Sequence, residues 1–323
     1  MHRLFLVSFT CTVLVLATVI ASVGLWVDPF AFFTPVDRGF RRESAYTLNR
    51  SLFRTVEFRK LAEEMAAANR QINVIVGDSI GNQIDSAPVE QITGETWFNY
   101  SYGQATLAEN ISLLEDLIDG GYPIKRIVWS LAFPRVRDGG KNEMARSLEF
   151  VDSPAWHLFT FESLRGVYYV LRQNWFGIKL VDRRFDMEQA ELVTYMNQRL
   201  QMDLKAMSWP AETLAAVAQL EQRATAKGIE FSYAILPVHP QVQQLFVDGF
   251  QDRYRQYIDF VSQQCVVDLR EQPGFWTGDM FRDAFHLTEP YRPKLSRMFA
   301  ETLLRACIER PARVAGPVRA EGT

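Results

Sequence analysis

Ser79 stands in the segment VIVGDSIGN, residues 74–82, directly after a short apolar run. Val and Ile suit a strand, and Gly, Asp and Ser suit a tight turn, so the pattern predicts a strand that ends in a turn. In an open parallel sheet, ligands bind beyond the C-terminal ends of the strands, and that is where this turn puts Ser79. A serine hydroxyl is a weak nucleophile and needs a base beside it. The chain has four histidines, His2, His157, His239 and His286. His286 lies in MFRDAFHLTEP, residues 280–290, three positions after Asp283. Within one turn, Asp283 can accept the Nδ1 proton of His286 and leave Nε2 facing outward as a general base. Ser79, His286 and Asp283 are thus candidates for nucleophile, base and orienting acid in acyl transfer or ester cleavage. Each motif also has a structural reading, a tight turn for G-D-S and a helix-capping loop for D-x-x-H. Their occurrence together, at the two ends of one strand series, points to chemistry.

Other residues stand around this set. Asn82 is a candidate oxyanion donor or a cap for the helix after Ser79. His239, in LPVHP, follows the fourth apolar run and is a candidate substrate contact or a satisfied surface histidine. Arg135 and Arg137 follow the third run and are candidates to meet an anionic substrate or plain solvated arginines. Walker loops, dinucleotide fingerprints and metal-ligand spacings are absent from the sequence, so no cofactor is expected.

The elements that must position these groups follow from the hydropathy pattern. Five strand-like runs occur in order, at residues 73–76, 96–100, 126–131, 230–236 and 265–269. Helical patterns cover residues 51–68, 107–118, 211–227, 241–263 and 289–308. Strands alternating with helices require crossovers and a parallel sheet covered on both faces. The expectation is an α/β fold, a three-layer α/β/α sandwich with a five-stranded parallel sheet of order 2-1-3-4-5. The stretch 141–210 reads as a helical insertion, with helices near 156–175 and 187–207, serving as plain core or as a lid or docking element. The whole divides into a span (1–27), a juxtamembrane segment and helix (28–70), the α/β domain (71–308) and a tail (309–323) rich in Pro, Gly, Arg and Ala that reads as disordered.

These residues carry a family resemblance. The chain resembles SGNH/GDSL hydrolases, in which G-D-S follows the first strand and D-x-x-H precedes the last helix. Gly77, Asp78 and Ser79 match the first block, and Asp283 and His286 match the last. The family's second block lends a glycine amide to the oxyanion hole, and Gly103 in FNYSYGQA stands at that place. The resemblance thereby implies an oxyanion hole of the Ser79 and Gly103 amides. The third block departs from the pattern: residues 128–135 read VWSLAFPR and lack the asparagine donor. Within the family the chain looks like the membrane-anchored envelope O-acyltransferase or esterase branch. That likeness implies acyl transfer or ester cleavage on a cell-surface polysaccharide, with a membrane-bound O-acyltransferase as a partner. A non-catalytic accessory subunit that binds a glycan or that partner stays open beside it. Gly77, Ser79 and Gly81 also fit G-x-S-x-G, the nucleophile elbow of α/β-hydrolases. In that fold several strands precede the elbow and the acid and histidine lie on separate loops, unlike here.

Residues 4–27 form a run of 24 without a charged side chain. At 1.5 Å per residue it crosses a hydrocarbon core of about 30 Å. It reads as an uncleaved signal-anchor, with a cleaved signal as the alternative, since Val19 and Ala21 form a loose small-residue site. Charge does not settle orientation: Arg3 precedes the run, while Asp28, Asp37, Arg38, Arg41 and Arg42 follow it. The chemistry suits an inner-membrane, single-pass protein with its domain in the periplasm. The 35 Lys+Arg against 38 Asp+Glu, net −3, argue against a nucleic-acid partner. Three cysteines exclude a disulfide scaffold, and Cys265 and Cys307 are either a pair or two buried thiols.

Overall fold

The structure is a computed structural model and describes residues 2–33, 39–133, 142–180, 188–195, 198, 200–206, 211–270 and 276–308. Before the sheet come α1 (His2–Val27), α2 (Glu43–Leu48) and α3 (Arg50–Ala67). The first half of the α/β domain contains β1 (Ile72–Gly77), α4 (Ser86–Thr93), β2 (Trp97–Asn99), α5 (Leu107–Asp119) and β3 (Ile124–Ser130). The insertion carries α6 (Glu143–Asp152), α7 (Pro154–His157), α8 (Phe161–Phe176), α9 (Gln189–Tyr195) and α10 (Gln201–Ala206). The second half has α11 (Ala211–Ala226), β4 (Glu230–Ile235), α12 (Pro240–Gln244), α13 (Gln251–Val261), β5 (Cys265–Asp268) and α14 (Arg292–Leu303).

The sheet has five strands in the order β2-β1-β3-β4-β5, every pairing parallel, as the strand–helix alternation predicts. All six residues of β1 are buried, which suits a central strand covered on both faces. Its register sets Ile75 against Val128 and Gly77 against Ser130. The covering helices pair as α4 with α14 and α5 with α11. Because β2 and β3 lie on opposite sides of β1, the chain reverses its strand order there. The end of β1 is the switch point, where open α/β sheets bind ligands. Behind it, Trp129 stacks on Tyr233 with ring centroids 6.0 Å apart, filling the middle of the core.

Local chemistry moved several expected boundaries. The helix expected over 156–175 begins at 161, because Thr160 accepts a hydrogen bond from the Ser163 amide and caps a new helix. It ends at Gly177, whose φ of 67° needs no side chain in the way. The helix expected over 241–263 is split into α12 and α13 by a wider turn at Leu245–Gly249 and by Phe250, which leaves helical geometry at φ −137°. Within the helix expected over 187–207, the described residues include α9 and α10. The tail from 309 lies outside the described residues.

Two features went beyond the pattern. Val27, Phe30, Ala45, Leu52 and Val56 form a second apolar core with Val167 and Val170 of α8. The end of α1 is thereby built into the body of the protein instead of trailing from it. In addition, Cys265 and Cys307 are bridged, with Cα atoms 5.7 Å apart, tying β5 to the turn after α14.

Candidate active site

The turn after β1 is held from several sides. Gly77 and Gly81 sit so close to neighbouring strand ends that larger residues would collide there. A Cβ at 77 would come within 2.9 Å of the Ser130 carbonyl oxygen, and one at 81 within 2.8 Å of Ser101 Oγ. Between them, Asp78 is buried, and its Oδ1 accepts from the Ile80 amide at 2.8 Å. Asn99, at the end of β2, donates through Nδ2 to the Gly81 and Ile84 carbonyls at 2.9 and 2.6 Å. Ser79 is the half-buried crest of this turn. No local partner ties down its hydroxyl among the described residues.

The second motif forms a compact dyad. His286 Nδ1 lies 2.8 Å from both Asp283 Oδ1 and Oδ2. Asp283 Oδ1 also accepts from the Phe285 and His286 amides, each at 2.8 Å. Burial opposes ionisation of Asp283. The bond to His286, its charge and the two amides outweigh that cost and hold the carboxyl below its ordinary range. A carboxylate that accepts a hydrogen bond from Nδ1–H fixes the tautomer with Nε2 as the free base.

Gln83 joins the two motifs. Its Nε2 donates to the Phe285 carbonyl at 3.1 Å, and its Oε1 accepts from the Leu287 amide at 2.6 Å. One side chain four positions after Ser79 therefore grips the backbone on both sides of His286. Arg292, from the first turn of α14, adds bonds to the Asn82 carbonyl at 3.0 Å and to Asp85 Oδ1 at 2.9 Å. Neither Gln83 nor Arg292 was picked out by sequence reasoning. A glutamine in a polar turn and an arginine at a helix start look like surface residues until the partner loop is in place.

The remaining expected residues fall in different places. Asn82 lies inside a short 3₁₀ turn, Gly81–Gln83, and does not cap a following helix. Its Oδ1 faces Arg54 Nη2 at 3.5 Å, and its Nδ2 makes no hydrogen bond among the described residues. Gly103 is in the loop after β2, and the Arg50 guanidinium lies over it so closely that a Cβ there would collide. His239 is 4% exposed. Its Nδ1 accepts from the Gln241 amide at 3.3 Å, and its ring meets Phe281 edge-on at 5.8 Å. Its backbone amide donates to the Ala284 carbonyl at 3.1 Å. His239 is thus a buried, satisfied histidine whose backbone braces the Asp283–His286 loop. Burial pushes its pKa down, consistent with a neutral ring. Arg135 and Arg137 lie outside the described residues.

Two cations were also missed. Arg50 and Arg54 are one turn apart on α3 and bring guanidinium groups to Gly103 and Asn82. The i, i+4 spacing is the only trace they leave in the sequence. Ile80, Ser130, Phe133, Gln243, Tyr257 and Arg270 are among the residues lining a partly open hollow of about 20 Å³. No cluster of metal-ligating side chains occurs among the described residues.

No family model matches the chain, and no curated protein matches it in sequence. Among solved structures, it is similar to TesA at 17% identity and a TM-score of 0.41, over 72% of this chain and 98% of that one. It is also similar to a GDSL-like lipase from Bacteroides thetaiotaomicron at 12% identity and a TM-score of 0.34, over 76% of this chain and 98% of that one.

Proposed function

We propose that the protein is a serine esterase or O-acyltransferase of the cell envelope, with Ser79 as nucleophile, His286 as base and Asp283 as the group that orients the imidazole. The observation that carries this reading is the docking of the Asp283–His286 dyad onto the Ser79 turn through Gln83. Ser79 Oγ attacks the acyl carbonyl while His286 Nε2 takes its proton. His286 then returns that proton to the leaving group, and a water or sugar hydroxyl releases the acyl group by the same steps in reverse. The amides of Ser79 and Gly103 and the Nδ2 of Asn82 are the proposed oxyanion donors, in place of the missing third-block asparagine. The acyl group in this proposal is acetyl or a similar short chain, as the family resemblance implies.

The proposed setting is the outer side of the inner membrane, with α1 as an uncleaved anchor. No residue of its most apolar stretch is buried in the protein, while Val27 is packed in the second core. A Cys265–Cys307 bridge suits an oxidising compartment. A polysaccharide acceptor and a membrane-bound O-acyltransferase partner belong to this proposal through the family resemblance.

A second reading, a non-catalytic accessory subunit, is favoured by the Arg50 side chain over Gly103 and by the absent asparagine. Reaction with a fluorophosphonate probe separates the two. Ser79 is expected to be labelled in the wild-type protein, and Ser79→Ala and His286→Ala are expected to abolish labelling. Asp283→Asn should slow it strongly, by up to about 10⁴ if the tautomer inverts as in the serine-protease precedent. A wild-type protein inert to the probe, with Ser79→Ala fully functional in a deletion strain, would establish the accessory reading instead.

A further inference from the structure

Helix α8 has two opposed faces. Ser163, Gly166, Val167, Val170 and Gln173 are buried against the second core. On the other side, Phe161 is 75% exposed, Leu164 41%, Tyr168 58% and Trp175 62%. At about 100° per residue, these four positions fall within about 60° of arc. Phe159, Phe176 and Ile178 extend the apolar surface at both ends of the helix. Arg165 and Arg172 lie at the edge of the stripe. A contiguous apolar strip of this kind, bearing Tyr and Trp and edged with arginine, marks a contact surface and has the make-up of an interfacial helix.

The position of α1 identifies what the strip contacts. Leu158, just ahead of α8, packs on Gly24, where a Cβ would come within 3.1 Å of it. Gly24 is three residues short of the end of α1, about 4.5 Å up the span. Gly166, in the middle of α8, packs on Pro29 and Phe30, directly after the span. The far end of α8 is held by Gln173 Oε1, which accepts from the Ser44 amide at 3.0 Å, and by Asn174 Oδ1, which accepts from the Arg41 amide at 2.9 Å. Trp26, half-exposed in the last turn of α1, has its ring edge-on to Phe40 at 5.3 Å. Tryptophan and tyrosine settle at the membrane–water boundary, and long arginine side chains reach from there to lipid phosphates.

We propose that the exposed stripe of α8 lies in the interface of the lipid bilayer, so that α1 and α8 together hold the protein on the membrane in one orientation. The proposal rests on the reading of α1 as an anchor. Leu52 and Val56 of α3 belong to the same core as α8, and Arg50 and Arg54 of α3 reach Gly103 and Asn82. The candidate active site therefore keeps a fixed height above the lipid, suited to a substrate carried in or at the membrane.

Nitroxide labels on the full chain in phosphatidylcholine–phosphatidylglycerol vesicles test this. Power saturation compares collisions with oxygen, which partitions into lipid, and with a water-soluble nickel chelate. Native Cys11 in α1 reports on the anchor. In a Cys11→Ala background, Tyr168→Cys and, independently, Leu164→Cys report on α8, and Gln256→Cys on exposed α13 is the aqueous control. Oxygen collisions are expected to exceed those with the chelate several-fold at 168 and 164, with the reverse at 256. If 168 and 164 behave like 256 while Cys11 is lipid-exposed, the proposal fails and the anchor reading stands. If Cys11 itself is in water, both fail. Shielding of 168 only after a membrane extract is added would overturn the proposal in favour of a protein partner.

Discussion

Replacing Gln83 by leucine removes the link between the two halves of the candidate site while nearly conserving volume. Gln83 is 6% exposed, so no water takes over its bonds. The change deletes the bonds to the Phe285 carbonyl and from the Leu287 amide, together with a local bond to the Ile80 carbonyl at 3.3 Å. A hydrogen bond contributes a net ~1 kcal/mol, and each buried group left unpaired costs about 1–3 kcal/mol. With two backbone groups stranded, the expected loss is about 3 kcal/mol, or roughly 5–10 °C in melting temperature for a domain of this size. Arg292 still holds the Asn82 carbonyl and Asp85, so the loop should loosen without leaving. A shift of about 1 Å between nucleophile and base costs on the order of 10² in rate. The assay is the rate of fluorophosphonate labelling of Ser79 beside a thermal melt of the same sample, taken well below the lowered midpoint. Labelling within about threefold of wild type would refute the claim that Gln83 positions His286 for Ser79.

The other predictions concern stability. Burial among Phe30, Phe32 and Phe150 pushes His157 down to about 4 from 6.5, with Asp28 opposing that shift and Arg146 adding to it. The unfolded chain takes up this proton first. The stability from a neutral His157 is therefore complete above about pH 6.5 and lost as pH falls towards 4, by about 3 kcal/mol. Denaturant midpoints at pH 7 and 4.5 should show that loss in the wild type and a much smaller one in His157→Leu, and equal slopes would refute it. Breaking the Cys265–Cys307 bridge, which closes 42 residues of chain, should cost up to about 4 kcal/mol. The comparison is Cys265→Ser/Cys307→Ser against wild type in denaturant, and an unchanged midpoint would show that the bridge does not constrain the unfolded chain.

What was legible in the sequence was what local spacing encodes. Alternating apolar runs predicted the strand order, because buried parallel strands need continuous apolar stretches and crossovers of helical length. The Asp283–His286 pair was legible because a three-residue separation is itself a geometry. Ser79 was legible because Gly, Asp and Ser directly after an apolar run mark a turn at a strand end. The split of α12 from α13 was not, since it depends on Phe250 leaving helical geometry and on Phe246 being buried against Phe133. His239 could not be distinguished from a cleft residue until its ring was seen between Gln241 and Phe281. Gln83 meets Leu287 across 204 residues, and Arg50 and Arg54 reach the site from a helix that precedes the sheet. Contacts at such separations are set by how helices and loops pack on the finished sheet, and the residue types involved carry no signal of their own. The sequence thus marked Ser79, Asp283 and His286 as candidate groups, one beyond the end of β1 and two just ahead of α14. Tertiary packing alone decided what locks them together, and it seated the end of the apolar span in the same core as α3 and α8.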